Sequence, residues 1–354
     1  MKLLLEALRD AGARPRHETL ALRAWCRGLP LDALAKREDS AFPKRLQAEM
    51  PALQRLFDSL ATVCADHPGA DGSARLLLAL GDGQTVESVL LPTDGVCVST
   101  QVGCAVGCTF CMTGRDGLRR QLRSAEIVAQ VALARARRRV ALGGSANAKA
   151  SDLPPIRRVV LMGMGEPAHN LDNVLEALDL LGREGDFNTK NLVLSTVGDR
   201  RVFERLPHER VKPALALSLH TTKPDLRARL LPRAPRIAPA ELVALADEYS
   251  RATKYPTQYQ WTLLEGVNDG DDELEGIARL LAGKYAVMNF IPYNTVDGAD
   301  YRRPSWGRAA EMTRYLYHRG VLAKVRRSAG QDVEAGCGQL RRRHAPRANA
   351  EATA

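Results

Sequence analysis

An α/β architecture is the fold class this sequence predicts: a partial (β/α) barrel preceded by a mainly helical N-terminal accessory domain. Three observations predict it. From residue 96 onward, short β-rich runs alternate with amphipathic segments. The first seventy residues carry a helical period instead. A hairpin signal at residues 75–91 stands between the two regimes.

In chain order, Leu3, Leu4 and Leu8, then Leu20, Leu22 and Trp25, recur at helical spacing, and residues 42–60 do the same. The run RLLLAL at 75–80, the turn Gly81-Asp82-Gly83 and TVESVLL at 85–91 read as a hairpin. Pro92 and Gly95 punctuate its end, so the accessory domain is expected over 1–92 and the core over 93–340. Core strands are expected at 96–102, 158–162, 191–196, 214–219, 258–264, 286–291 and 322–326. Helices are expected at 125–138, 171–181, 239–252, 274–281 and 308–318. Residues 143–155, rich in Gly, Ser and Pro, read as a flexible insertion. The tail 341–354 is basic, then Ala-rich, and reads as disordered. In such barrels chemistry gathers at the C-terminal ends of the strands.

Composition narrows the function classes. With 354 residues, 45% hydrophobic and 26% charged, the chain reads as an ordinary globular protein. No run of 18 apolar residues is present, so no membrane-spanning helix is expected. Glu6, Arg9 and Asp10 break the apolar start before it could serve as a signal-peptide core. Seven cysteines, an odd number with three clustered, do not suggest a secreted disulfide framework, and a reducing cytoplasm is the expected location. The balance of 51 Lys+Arg against 41 Asp+Glu gives a net charge of +10. Arginines cluster at 119–123, 135–139, 157–158, 302–303, 326–327 and 341–343. Any one cluster reads as a solvated face, whereas the summed excess favours a nucleic-acid partner. With 5% aromatics, recognition by shape is expected ahead of stacking alone.

The chemistry concentrates in GCAVGCTFCMTG, where Cys104, Cys108 and Cys111 stand at C-x3-C-x2-C spacing. Thiolates ligate iron–sulfur clusters, and short spacings let one loop reach several irons. Three ligands on a four-iron cluster leave one iron open for an exchangeable partner. Zinc and three unrelated core thiols are the alternatives, but a structural zinc site would show a second C-x2-C pair and none exists. One β/α unit later comes MGMGEP, whose glycines permit close backbone approach while Glu166 can accept from an ammonium.

With an aromatic residue before its third Cys, the loop resembles that of the radical S-adenosylmethionine (SAM) superfamily. The segments VCVSTQVGCAVGCTFC, LMGMGEP, LSTVG, ALSLH, LLEGVND, NFIPYN and DVEAGCGQL, in this order, resemble the RlmN/Cfr family of radical SAM RNA methyltransferases. That resemblance implies a partial barrel of the radical SAM type, a 4Fe-4S cluster on Cys104, Cys108 and Cys111, and two SAM molecules per turnover. It implies methylation of an adenine carbon in ribosomal RNA, with some members also acting on tRNA. The carbon is C2 in the RlmN type and C8 in the Cfr type; C2 is the expectation here. An electron donor such as flavodoxin or ferredoxin is implied as well. Gly165, Glu166, Ser195, Ser218, Leu219, His220 and Asn294 are implied as SAM contacts.

The family also uses two further cysteines, matched here by Cys97 and Cys337. On residue type alone they would read as a strand thiol and a loop thiol; Cys26 and Cys64 match nothing and read as packing residues. The resemblance implies that Cys337 is first methylated, that its methyl carbon is activated through a second SAM and joined to the adenine, and that Cys97 then releases the product. A disulfide between the two remains. Glu87, in V-E-x-V, matches the family's proton acceptor, although it stands closer to Cys97 than the family pattern expects; an exposed strand carboxylate is the alternative. The N-terminal region lacks the family's aromatic and basic RNA-recognition motif, STVG replaces STSG, and Arg119, Arg120 and Gln121 replace the Asn residues usual after the cluster loop. The resemblance therefore carries further for the chemistry than for the RNA target. Two other classes compete: another radical SAM enzyme such as a glycyl-radical activase, which would not need Cys97 and Cys337, and a non-catalytic iron–sulfur or zinc RNA-binding protein, which would not need GMGEP and SLH.

Overall fold

The structure, a computed structural model, describes residues 1–35, 41–141 and 156–343. The insertion expected at 143–155 and the tail beyond residue 343 lie outside the described residues. Three helices come first, α1 (Lys2–Asp10), α2 (Pro15–Cys26) and α3 (Lys44–Asp58). Each buries one stripe, for example Leu46, Met50, Leu53 and Phe57 on α3. Residues 61–68, expected as helix, are instead β1 (Ala61–Pro68), antiparallel to β2 (Ala74–Leu80). Pairing along the length of β2 overrides a weak local preference. The expected hairpin follows, with β2 pairing β3 (Thr85–Leu90) across the glycine turn.

Strand β4 (Gly95–Cys97) links two kinds of sheet, because it pairs antiparallel with β3 and parallel with β7 (Arg158–Leu161). The single strand expected at 96–102 is interrupted. Its second part, β5 (Gln101–Gly103), pairs with β6 (Leu118–Gln121) in a separate ribbon. The break is held by side chains standing in for a ladder. Gln130 of α4 (Ser124–Ala141) accepts from Ser99 N at 2.8 Å and donates to Ser99 O at 2.9 Å, while Ser99 Oγ donates to Glu87 O at 2.6 Å.

From there the chain alternates as expected. Helix α5 (Leu171–Arg183) leads to β8 (Leu192–Thr196), and α6 (Arg200–Arg205) leads to β9 (Ala214–Ser218). Helices α7 (Pro224–Leu230) and α8 (Pro239–Thr253) precede β10 (Thr257–Leu263). Helix α9 (Asp271–Leu281) precedes β11 (Ala286–Pro292), and α10 (Trp306–His318) precedes β12 (Ala323–Val325). The ten-stranded sheet runs β1-β2-β3-β4-β7-β8-β9-β10-β11-β12, parallel from β4 onward. The runs LVLST and ALALS are buried along most of their length, as parallel strands covered by helices require. Among the described residues β12 pairs with β11 alone, so the barrel stays open between β12 and β4.

One half-buried arginine ties the N-terminal helices to this core. Arg135 on α4 donates to Cys26 O and Gly185 O, each at 2.7 Å, and lies 4.0 Å over the Phe187 ring. Burial pulls its pKa down to about 10. The tail also departs from expectation at its start. Arg341 and Arg343 are folded against the hairpin, because the buried Glu87 carboxylate collects the Arg341 N–H and the Arg343 Nε–H, each at 2.8 Å.

Candidate active site

The cysteine loop sits between β5 and a short 3-10 turn over Met112–Gly114. Gly103 enters it at φ +81°, and a Cβ there would collide with the Gly117 carbonyl oxygen, so no other residue fits. Cys104 N donates to that carbonyl at 3.1 Å, and Cys111 N closes the turn on Cys108 O at 3.1 Å. Cys104, Cys108 and Cys111 thereby line one cavity. Burial pushes the Cys104 thiol up to about 12 and raises Cys108 and Cys111 as well. The neighbouring thiols add to the rise, Cys111 and Cys104 acting on Cys108. Three crowded thiols that resist ionisation together call for cationic metal to hold them as thiolates. Among the described residues no three His, Cys, Asp or Glu side chains converge as a single ion requires. Three thiols on the wall of one cavity match the one thiol per iron that a cluster takes.

The ends of the parallel strands supply the rest of this cavity. Gly165 and Glu166 follow β7, Ser195 lies near the end of β8, Ser218 ends β9, and His220 stands two residues beyond; all five line it. Glu166 is 4% exposed. Its Oε1 accepts from Ala168 N at 3.1 Å and its Oε2 from Val197 N at 3.0 Å, while burial raises its pKa. A buried carboxylate fixed this way is ready for an ammonium. His220 adopts φ +62°, an uncommon conformation for a residue with a Cβ, and its Nδ1 accepts from Thr262 N at 3.0 Å. Burial drives its pKa down to about 3, so the ring is neutral with its proton on Nε2. Phe110 of the cysteine loop meets the ring edge-on at 4.9 Å.

Leu219 and Asn294 are not brought to this cavity. Strand alternation turns Leu219 into the core, where it is fully buried. Asn294 instead holds the C-terminal segment, donating from Nδ2 to Cys337 O at 3.0 Å and to Ser328 Oγ at 2.8 Å. Sequence reasoning missed Gln260 and Thr262, which line the cavity from β10, and Arg227, which bonds the lining residues Val197 and Ser218. Arg227 is 3% exposed, donates to Ser218 O at 3.2 Å and to Val197 O, and leaves its Nε without a partner. Within one of many arginine-rich stretches it carried no signal of its own.

A second cavity adjoins the first and is lined by Cys97 and Cys337. Cys337 and Gly338 line both cavities. Cys97 ends β4 and is buried, which pushes its thiol up to about 12, with Cys337 adding to the rise. Cys337 is exposed, and all seven cysteines are free thiols. Its segment is clamped from several sides: Gly338 O accepts from Met112 N at 2.7 Å and Leu340 O from Thr113 Oγ1 at 2.6 Å. Glu87 shares a sheet face with Cys97 through the register Val89↔Cys97 but lines neither cavity. It is fully buried, and its oxygens are taken by Arg75, Arg343 and the Arg341 N–H.

Residues 98–281 match the radical SAM superfamily. The chain belongs to that superfamily, whose members work with SAM and a 4Fe-4S cluster. Its relatives place it more narrowly. It is 66% identical over 338 residues to a protein of Aromatoleum aromaticum named a probable RNA methyltransferase, covering 96% of this chain and 91% of that one. A namesake from Methylibium petroleiphilum is 65% identical over 340 residues, covering 96% and 92%. A solved structure described as a radical SAM methyltransferase from Sphaerobacter thermophilus superposes with a TM-score of 0.76 at 37% identity, covering 89% of this chain and 92% of that one.

Proposed function

We propose that this protein is a radical SAM RNA methyltransferase that places a methyl group on an adenine carbon, C2, of ribosomal RNA, with Cys337 as the methyl carrier. The observation that carries the reading is the position of Cys337. It faces the cavity of the cluster cysteines, Glu166 and His220 on one side and the cavity of Cys97 on the other. A group that must first receive a methyl from one ligand and then deliver it to another belongs at such a wall.

When bound, SAM and the cluster supply the methyl group and the one-electron cleavage that activates it. The chain's own residues divide the remaining work. Cys104, Cys108 and Cys111 hold the cluster. Glu166 takes the cofactor's ammonium, and Ser195, Ser218 and the Nε2–H of His220 offer bonds to its polar groups. Cys97, buried next to Cys337, attacks the Cys337 sulfur. The S–S bond forms as the bond from that sulfur to the methylene carbon breaks, and the carbon leaves with the electron pair and takes up a proton to become the methyl group of the base. Glu87, the residue matched to the family's proton acceptor, lines neither cavity and is spent on Arg75, Arg343 and the Arg341 N–H, so its part is to hold the C-terminal segment that carries Cys337. Proteolytic peptide mass mapping of protein purified from its own cells tests the assignment. A methyl group on the peptide containing Cys337 is expected, and it should vanish when Cys104→Ala prevents cluster assembly only if methylation itself depends on a reduced cluster. Protein competent to methylate RNA but never methylated at Cys337 would refute the carrier role.

A further inference from the structure

We propose that Arg158, Arg326 and Arg327, with the exposed indole of Trp306, grip the RNA backbone at the opening of the second cavity, so that one nucleotide reaches Cys97 and Cys337 while its phosphates stay outside. The proposal rests on the reading of the chain as an RNA methyltransferase and adds where the RNA is held. Most of the arginine clusters are already committed. Arg120 pairs with Glu126 and Asp82. Arg138 and Arg139 bond backbone carbonyls, among them Leu91 O at 2.8 Å and Gly28 O at 2.6 Å. Arg302 pairs with Glu265, Arg303 donates to Tyr293 O, and Arg341 and Arg343 share Glu334. These side chains stitch the fold and have little left for a ligand.

Arg158, Arg326 and Arg327 differ. Among the described residues none of the three forms an ion pair, and all three line the cavity of Cys97 and Cys337. They come from the two sides of the barrel's opening, Arg158 from the start of β7 and the other two from just after β12. The carboxylate on the same wall, Asp71, does not neutralise them. Its Oδ1 accepts from Ser73 N at 3.0 Å and from Ser73 Oγ, and its Oδ2 from Gly330 N at 2.9 Å. Cations left unpaired beside a cavity attract a polyanion, and guanidinium forks match phosphate oxygens.

Trp306 supplies the second half of the grip. It begins α10, is 47% exposed, and its ring lies 5.2 Å from the Arg327 guanidinium. A flat indole beside a flat guanidinium is a surface on which an unpaired base stacks. Trp25 and Trp261 are buried at 5% and 0% exposure, so Trp306 is the indole that bound RNA can reach.

The test uses the full chain and a fluorescein-labelled single-stranded RNA, with affinity read by anisotropy across a salt series. Each lost phosphate contact flattens the slope of log affinity against log salt by about 0.7 for a single strand. The triple variant Arg158→Gln/Arg326→Gln/Arg327→Gln should therefore lose about 2 from the wild-type slope. A charge-matched control, Arg9→Gln/Arg200→Gln/Arg205→Gln, removes three arginines held by Glu18, Glu241 and Asp172 and should keep that slope. Arg327→Gln alone, at an exposed position, should lose about 0.7 and guards against a misfolded triple variant. The unlabelled RNA should quench tryptophan fluorescence in the wild type and not in Trp306→Leu. An unchanged slope in the grip variants, an equal loss in the control, or a quench that survives Trp306→Leu would overturn the grip. A wild type without salt-dependent RNA binding would instead sink the RNA reading beneath it.

Discussion

At the scale of single residues, the site depends on thiols that need metal and on two buried groups that need a partner. Because the loop offers three thiols and no spare, Cys104→Ala, Cys108→Ala or Cys111→Ala should each abolish both cluster absorbance and SAM cleavage; a variant that kept a full four-iron spectrum would refute the ligand set. His220 allows a test by pH. Its native pKa of about 3 lies below the ordinary 6.5, so between those values the unfolded chain binds a proton that the native chain refuses. Its contribution is fully present above pH 6.5 and is lost as pH falls toward 3, about 5 kcal/mol at the limit. The stability gap between wild type and His220→Gln should therefore shrink from pH 7 to pH 4 in urea melts, and a constant gap would contradict the buried neutral ring. Cys104 and Glu166, singled out in the sequence by a distinctive neighbourhood, both line one cavity. Leu219 does not: adjacent strand residues face opposite ways, and a motif string does not say which one meets the cavity.

At the scale of elements, the segment that carries Cys337 is held by side chains more than 200 residues away in sequence. Arg75 Nε donates to Val333 O at 2.6 Å, Thr85 to Arg343 O, and Glu87 receives the Arg341 and Arg343 donors. Replacing Glu87 by Leu would leave the buried Arg75 guanidinium without its carboxylate. Breaking a buried pair this way costs about 3–5 kcal/mol, so the urea midpoint should fall sharply and the C-terminal segment should become open to protease. An unchanged midpoint with a protected segment would mean that the clamp contributes nothing. The core strands were legible as short apolar runs and their helices by a periodic buried face. Strand β1 was missed because ATVCADHP has no strong pattern, and it forms through its partner β2. Arg341 and Arg343 were missed for a related reason, since a charged stretch read alone says nothing of a carboxylate on a distant strand.

At the scale of the whole molecule, a chain of net charge +10 keeps much of its arginine for its own architecture. Arg135 pins the helical layer to the barrel, and the tail arginines close over Glu87. The proposed grip narrows the polyanionic partner implied by the charge count to the opening between β4 and β12, where arginines without an ion pair among the described residues line the cavity of Cys97 and Cys337. The two cavities are joined at Cys337, and the proposed function assigns the cofactor to one side and RNA to the other. The account's central claim is that Cys337 bonds the RNA and Cys97 releases it. Purifying Cys97→Ala from cells and running it on denaturing gels with and without nuclease tests this most directly. The account predicts covalently attached RNA that nuclease removes, with none on Cys337→Ala or on the double variant. A Cys97→Ala protein that carries no RNA and methylates at the wild-type rate would contradict it.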